Sequence, residues 1–431
     1  MTLVLPTRRA VLLSGPWAVR DLWRRAQATP ALDLRFADNK NLTDVVTGQS
    51  LITFTRASTG TYVDADGVLK TASTDVARFD HNPTTNNSLG LLIEGQRTNS
   101  FQQSQDFSNA YWNSNANVTI TTAAGIAPDG TATANLITPG SGTVNARIGR
   151  NSAGTSAVNR VYSFFAKANG IRYITITTST ATRASCFDLF TGQFLEPTAD
   201  FVASSSAVAY PSGWWRISHT TATGTVPYVV AGTSFTRLAT TATATFNGTD
   251  GFFLWGAQWE NQQTTPTSYI PTTTAAVTRS ADVASIGSTN FSSWYNQSSG
   301  TIYAEYRTPA SETRGIAGLN DNTANERIEL YSSTTDPKLI VVDGGVTQVD
   351  LDGGVIAASV MTQTAAAFAA NDFAIVHAGG VSVTDASGTM PTPDRILIGA
   401  DQAGNYQNGI IKRLIYWPVR LSDAILREVT R

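Results

Sequence analysis

The chain has 431 residues, 42% hydrophobic and 14% charged, with a formal net charge of −2. That length supports two or three cores, the apolar share excludes a disordered chain, and the near-neutral charge lacks the basic stripe that nucleic-acid binding needs. One cysteine, Cys186, excludes internal disulfides, three scattered histidines (His81, His219, His377) offer little for a metal site, and no apolar run approaches the ~20 residues of a membrane helix.

At the N-terminus, Arg8-Arg9 before Ala10-Val11-Leu12-Leu13 imitates a twin-arginine export start. Arg20, Asp21, Arg24 and Arg25 interrupt the stretch that a signal peptide keeps apolar, so secretion by a signal peptide is not expected. The pattern predicts instead a short amphipathic helix through Ala18–Ala26, making residues 1–30 a helical docking segment. Residues 31–98 read as a small β-rich anchoring unit. Leu32–Phe36 and Leu51–Arg56 alternate, Gly90–Glu94 has the apolar content of a buried strand, and Asp64-Ala65-Asp66-Gly67 lies between apolar residues as a hairpin turn does. Read as a calcium loop, that turn lacks the later acidic ligands, so no motif supports a structural calcium ion and no cofactor is expected.

From 99 to 280, short strands are predicted at Val118–Thr122, Tyr162–Ala166, Ile171–Thr178, Trp214–Ser218, Ala242–Phe246 and Phe252–Glu260, among turns such as Pro128-Asp129-Gly130 and Pro211-Ser212-Gly213. This spacing without helical periods suggests a jelly-roll sandwich. In the last of these strands, period two puts Phe253, Trp255, Ala257 and Trp259 on one face and Phe252, Leu254, Gly256 and Gln258 on the other. From 281 to 431 the pattern continues, with Ile302, Ala304 and Tyr306 sharing a face, and closes in a helix, Asp423–Val429. Ser422 is its expected N-cap, with Leu421 and Leu426 at the hydrophobic-staple positions. The fold class is therefore mainly β: two β-sandwich domains after a small N-terminal anchoring region with a short helix.

Phe54-Thr55-Arg56-Ala57-Ser58-Thr59-Gly60-Thr61-Tyr62, Ala77-Arg78-Phe79-Asp80, Gly90–Glu94 and Arg97-Thr98-Asn99 resemble a module of tailed-bacteriophage virion proteins. Ser104–Ser108 with Trp112, Ala127–Thr131, Gly213–Arg216, and Trp255–Gln258 through Ser268-Tyr269-Ile270-Pro271 resemble the carbohydrate-binding-like jelly roll that usually follows it. Arg395–Gly399, Gly409–Arg413 and Tyr416-Trp417 before Leu421-Ser422-Asp423 resemble a concanavalin-A-like or laminin-G-like sandwich. The resemblance implies a tail fibre, head fibre, spike or decoration protein. Such a protein is usually a trimer, here meeting other virion proteins through residues 1–98 and host polysaccharide through the sandwiches.

Sugar binding needs an exposed aromatic face beside polar side chains that bond hydroxyls. The candidates are Trp214, Trp215, Tyr111, Trp112 and Tyr269, with Trp294 as a further aromatic, and the polar loop of Asp401, Asn405, Tyr406, Gln407 and Asn408. Adjacent Trp214 and Trp215 must take opposite faces of one strand, so one is expected in the core and the other outward. For Trp112, Trp255, Trp259 and Trp294 core packing is the plainer reading, and for the loop an ordinary solvated connection. Glycoside cleavage would need two carboxylates ~5–9.5 Å apart. Asp188, Glu196, Glu260, Glu305 and Glu329 are available, yet no motif pairs any two. Cys186 reads as a small buried hydrophobe and His219 as sandwich lining.

The expected function is thus a non-enzymatic virion protein, assembled in the host cytoplasm and displayed on a surface appendage, that attaches to host glycans. Two alternatives stand beside it: a purely architectural decoration protein, and a polysaccharide depolymerase. Neither nucleic acid nor membrane insertion is expected.

Overall fold

The computed structural model describes residues 21–150, 159–177, 184–195, 202–221, 228–261, 264–309, 312–334 and 336–431. Among them strands dominate, and all the α-helices are short. The C-terminal sandwich packs two antiparallel sheets face to face. One runs in the order Val383–Asp385, Asp372–His377, Thr362–Ala369, Ser299–Arg307, Gly409–Trp417, Ser88–Ile93, Phe79–His81, with Leu32–Leu34 also pairing on Gly409–Trp417. The other runs Thr53–Thr55, Val283–Gly287, Arg395–Ile398, Arg314–Asn320, Arg327–Ser333, Asp336–Asp343, Val346–Asp352. Ile302, Ala304 and Tyr306 lie in the core between the sheets, as their alternation predicts, against Ile316, Leu319 and Ile398.

Residues 31–98 do not form a unit of their own. Their strands complete both sheets of the C-terminal sandwich, and Phe54, Leu91 and Ile93 share its core. An edge strand has unpaired backbone groups that must find partners, and here sequence-distant strands supply each other: Thr53–Thr55 pairs with Val283–Gly287. The Asp64–Gly67 turn is as expected. It joins Gly60–Val63 to Leu69–Ala72, with Asp64 Oδ1 accepting from the Asp66 and Val68 amides and Gly67 at φ +76°.

The helix Asp423–Val429 forms behind Ser422, whose side chain makes no capping bond; Leu421 and Leu426 are both buried under it. It covers the outer face of the first sheet, over Tyr303, Ala365, Ala374 and Trp417. The helix Asp21–Ala26 packs on the same face: Ala26 is buried there, and the Trp417 indole donates to Ala28 O at 3.1 Å. The described part of the expected docking segment is therefore built into the chain's own fold, because its apolar residues cover sheet that would otherwise face water. Residues 1–20 lie outside the described residues.

The jelly roll pairs a six-stranded sheet (Val202–Tyr210, Trp214–Thr221, Arg160–Asn169, Gly251–Asn261, Ala134–Pro139, Val118–Gly125) with a five-stranded one (Arg147–Ile148, Tyr228–Gly232, Tyr173–Thr177, Ala184–Asp188, Phe194–Leu195). The strand Gly251–Asn261 departs from the predicted alternation. Its register against Arg160–Asn169 shifts between Ser163 and Phe165, with Gly256 at φ +66°. This bulge inserts one residue and reverses the phase. Phe252, Leu254, Ala257 and Trp259 consequently face the core between the sheets, while Phe253 and Trp255 face the other side. The two tryptophans expected on one face thus lie on opposite faces. A Cβ on Gly256 would come within 2.9 Å of the Phe165 ring, so only glycine suits the position.

That other side is covered too. Val63, Leu69, Ala127 and Tyr269 lie over Trp214, Trp255 and Phe165. The segment 31–98 and the strand following the jelly roll therefore hold the two sandwiches together, and a buried ionic clasp fixes them. Arg56 Nη1 bonds Asp282 Oδ1 at 2.9 Å, Arg78 bonds Asp282 and also Glu94 at 2.8 Å, and Arg279 lies 3.5 Å from Glu94. Glu94 further accepts from the Ser268 amide (2.7 Å) and hydroxyl (2.6 Å). All five charged side chains are buried. Burial would raise the Glu94 pKa, but Arg279, Arg78 and the Ser268 bonds outweigh it and hold the group at about 2.

Candidate functional site

Most of the aromatic candidates are buried. Trp214 and Trp215 do take opposite faces, yet neither is an outward platform. Trp214 is buried, its indole donating to Ile126 O at 3.1 Å. Trp215 is half-buried, edge-on to Phe187, with its indole donating to Leu189 O at 2.9 Å. Trp112 packs between Phe101 and Phe107, and Trp294 between Phe291 and Tyr416. Tyr111 is half-buried with Arg150 over its ring at 3.8 Å. Tyr269 is buried, its hydroxyl 2.7 Å from Ser104 Oγ. An aromatic sandwiched between layers has no ring face left for a sugar.

The polar loop is largely self-contained. Asp401 accepts from the Asn405 amide (2.8 Å) and Nδ2 (2.7 Å), and Asn405 O accepts from Gly315 N. Tyr406 packs on the core of the C-terminal sandwich. Gln407 is fully buried with neither amide atom bonded. Asn408 Oδ1 accepts from Gly95 N at 2.7 Å, which leaves its amide group free to donate.

A cleft of about 330 Å³ lies where the two sandwiches meet, and Asn408 and Tyr269 are the candidates that reach it. Its walls come from stretches far apart in sequence: the hairpin around Tyr62; the strands bearing Asp80, His81, Leu92 and Glu94; the strand pair bearing Tyr210 and Arg216; the loop Thr265–Tyr269; the strand end at Arg307; Ser359; and Asn408–Ile410. Several of its polar groups have unused capacity. The Arg307 guanidinium makes no hydrogen bond or ion pair among the described residues. Burial lowers its pKa and the nearby Asp80 raises it. His81 Nδ1 donates to Val63 O at 3.1 Å, and its buried Nε2 has no partner. Asp80 Oδ1 accepts from Val63 N at 2.7 Å; desolvation pushes this carboxyl up to about 6, against the pull of that bond, Arg78 and Arg307. Arg216 is anchored, donating to Thr267 O at 2.7 Å and Ser163 Oγ at 3.1 Å. Tyr62 is half-buried. Burial also pushes the Tyr210 hydroxyl up to about 12. The Arg307 guanidinium and the Asn408 amide, left without protein partners in the wall of one cleft, can bond a polar ligand there.

Of the carboxylates considered for hydrolysis, the four that lie among the described residues are engaged elsewhere. Glu260 accepts from Gln258 (2.9 Å) and from Thr267 N and Oγ1 (3.0 and 2.5 Å). Asp188 is gripped by Arg172 at 2.6 Å, which holds its pKa well below the carboxylate range. Glu305 pairs with Lys412 at 2.6 Å and Glu329 with Arg327 at 3.3 Å; Glu196 lies outside the described residues. Cys186 is buried, with its thiol pushed up to about 11 by desolvation. His219 is buried lining, its Nδ1 3.0 Å from Ser205 Oγ. Among the described residues no group of three or more His, Cys, Asp or Glu side chains could hold a metal, and no helix is long and apolar enough to cross a membrane.

Sequence reading missed the cleft because no single stretch carries it. Of its lining, Asn408 and Tyr269 stood among the candidates, and Tyr62, Asp80, Leu92, Glu94, Arg216, Ser268, Gly409 and Ile410 lay in stretches singled out for other reasons, none of them pointing to a shared cleft.

No protein-family model matches the chain, and no curated protein does. Among solved structures it is similar to the Ruminococcus gnavus IT-sialidase CBM40 bound to alpha2,6 sialyllactose, at 17% identity over 32% of this chain and 85% of that one, with a TM-score of 0.28. It is also similar to the NanB sialidase of Streptococcus pneumoniae, at 14% identity over 32% of this chain and 25% of that one, TM-score 0.28. A third likeness is to mouse laminin alpha1 domains LG4-5, at 12% identity over 64% of this chain and 84% of that one, TM-score 0.22.

Proposed function

We propose that this chain is a non-enzymatic glycan-binding protein, carried on a surface appendage of a phage or phage-like particle, whose saccharide seat is the cleft between the sandwiches. The supporting observation is a pair of polar groups without protein partners in its lining, the Arg307 guanidinium and the Asn408 amide, with the half-buried Tyr62 ring in the same wall. A saccharide offers hydroxyls to such groups and a C–H face to the ring. The particle setting rests on the likeness of residues 51–99 and of the jelly-roll motifs to virion modules. In that setting the chain would form trimers, and several copies would compensate for a weak single site.

The test is binding of the full chain to host surface polysaccharide and to a glycan array, with Tyr62→Ala as the site variant. The expected result is binding that falls about tenfold in the variant, the loss of one stacking contact of ~1–1.5 kcal/mol, at unchanged melting temperature. Absence of binding to any glycan would favour the architectural reading, and shortened polysaccharide after incubation would favour a depolymerase.

A further inference from the structure

We infer that the cleft between the sandwiches takes a saccharide bearing a carboxylate, with the acid group seated on Arg307. The inference rests on the glycan-binding reading above and names its ligand class. Arg307 ends the strand Ser299–Arg307 in the wall of the cleft. The contrast with its neighbours carries the argument. Arg78 is spent on Asp282, Glu94, Thr61 O and Ser268, and Arg216 on Thr267 O and Ser163. Arg307, half-buried like Arg216, makes no hydrogen bond and no ion pair among the described residues. A guanidinium stays charged at any ordinary pH and carries a planar fork of donors. The fork is still partly open to solvent, and a planar carboxylate entering the cleft can meet it with two parallel bonds.

The charge around the site limits the anion. Asp80 acts on Arg307 electrostatically without touching it, so part of the positive field is already offset. No lysine lines the cleft, and among the described residues no α-helix contributes to its lining. A doubly charged phosphate would meet one free guanidinium and the Asp80 carboxylate. A singly charged acid needs only the guanidinium, while the Asn408 amide remains for a ring hydroxyl.

The full chain is titrated by NMR or calorimetry with D-glucuronate, N-acetylneuraminate, D-glucose, N-acetylglucosamine and inorganic phosphate. The first two separate a hexuronate source from a nonulosonate one. At least one carboxylated sugar is expected to bind about 10- to 100-fold more tightly than the neutral sugars, the range of a charge-assisted hydrogen-bonded pair. Arg307→Gln should remove that preference, Arg307→Lys should restore part of it, and both should melt as wild type does, since the guanidinium holds no internal bond. Equal binding of glucuronate, neuraminate and glucose, weakened alike by Tyr62→Ala, would overturn the inference and leave the glycan reading standing. Phosphate binding more tightly than either acid sugar would overturn it in favour of a phosphate seat. No binding of any sugar would overturn both.

Discussion

Replacing Glu94 by Gln removes one of the two carboxylates that hold three buried arginines. Glu94 is 3% exposed and bonds Arg78, Ser268 N and Ser268 Oγ. Its pKa of about 2 in the fold, against an ordinary 4.5, corresponds to roughly 3 kcal/mol of stability at neutral pH. Gln keeps an acceptor for Ser268 but turns an amide toward Arg78 or Arg279, leaving three guanidiniums to Asp282. Breaking a buried pair in this way costs about 3–5 kcal/mol. For a sandwich of this size that lowers the melting temperature by on the order of 10 °C. Because the folded pKa is depressed, the contribution is complete above pH 4.5 and is lost as pH falls toward 2. The gap between wild type and Glu94→Gln should accordingly be widest at pH 5–7 and close by about pH 2. Thermal melts followed by circular dichroism across that range test it. Equal melting temperatures at pH 7, or a gap that does not narrow in acid, would refute the reasoning that the clasp joins the sandwiches electrostatically.

Asp80→Asn should act in the opposite sense. Its folded pKa is raised, so protonation stabilises the fold below the ordinary 3.8 and that gain is lost as pH rises through about 6. The variant keeps the acceptor for Val63 N and should be more stable than wild type at pH 7, by up to about 3 kcal/mol, and no different near pH 3.5; a loss of stability at pH 7 would contradict this. Gly256→Ala should destabilise by about 2 kcal/mol or more, from the strained φ and the Phe165 contact, measured by urea unfolding. Trp214→Ala should cost about 3–5 kcal/mol and Trp215→Ala somewhat less, both read from denaturation. If Trp215→Ala instead left stability intact while abolishing glycan binding, its assignment to packing against Phe187 would be wrong.

Features carried by neighbouring residues could be read from the sequence. Asp64–Gly67 specifies a hairpin through the Asp64 side chain and one left-handed glycine, and Leu421 and Leu426 specify which face the last helix buries, whereas the capping bond expected of Ser422 does not form. Alternation established the β class and the inward set Ile302, Ala304 and Tyr306. It failed at Gly256, because period two cannot reveal a bulge that reverses the phase and sends Trp255 and Trp259 to opposite faces. It also could not show that Trp214 and Trp215 would both be covered, since the covering residues lie far away in the chain.

The candidate site shows the same division. Composition and motif could point to sandwiches and to aromatic side chains suited to sugars, since those properties belong to residue types and short spacings. The clasp joins Arg56 to Asp282 across 226 positions, and the cleft gathers Tyr62, Asp80, Arg216 and Arg307 from separate strands and Asn408 from a loop. Which of those polar groups would be satisfied and which left without a partner depends on packing between distant segments, and only the tertiary structure decided it.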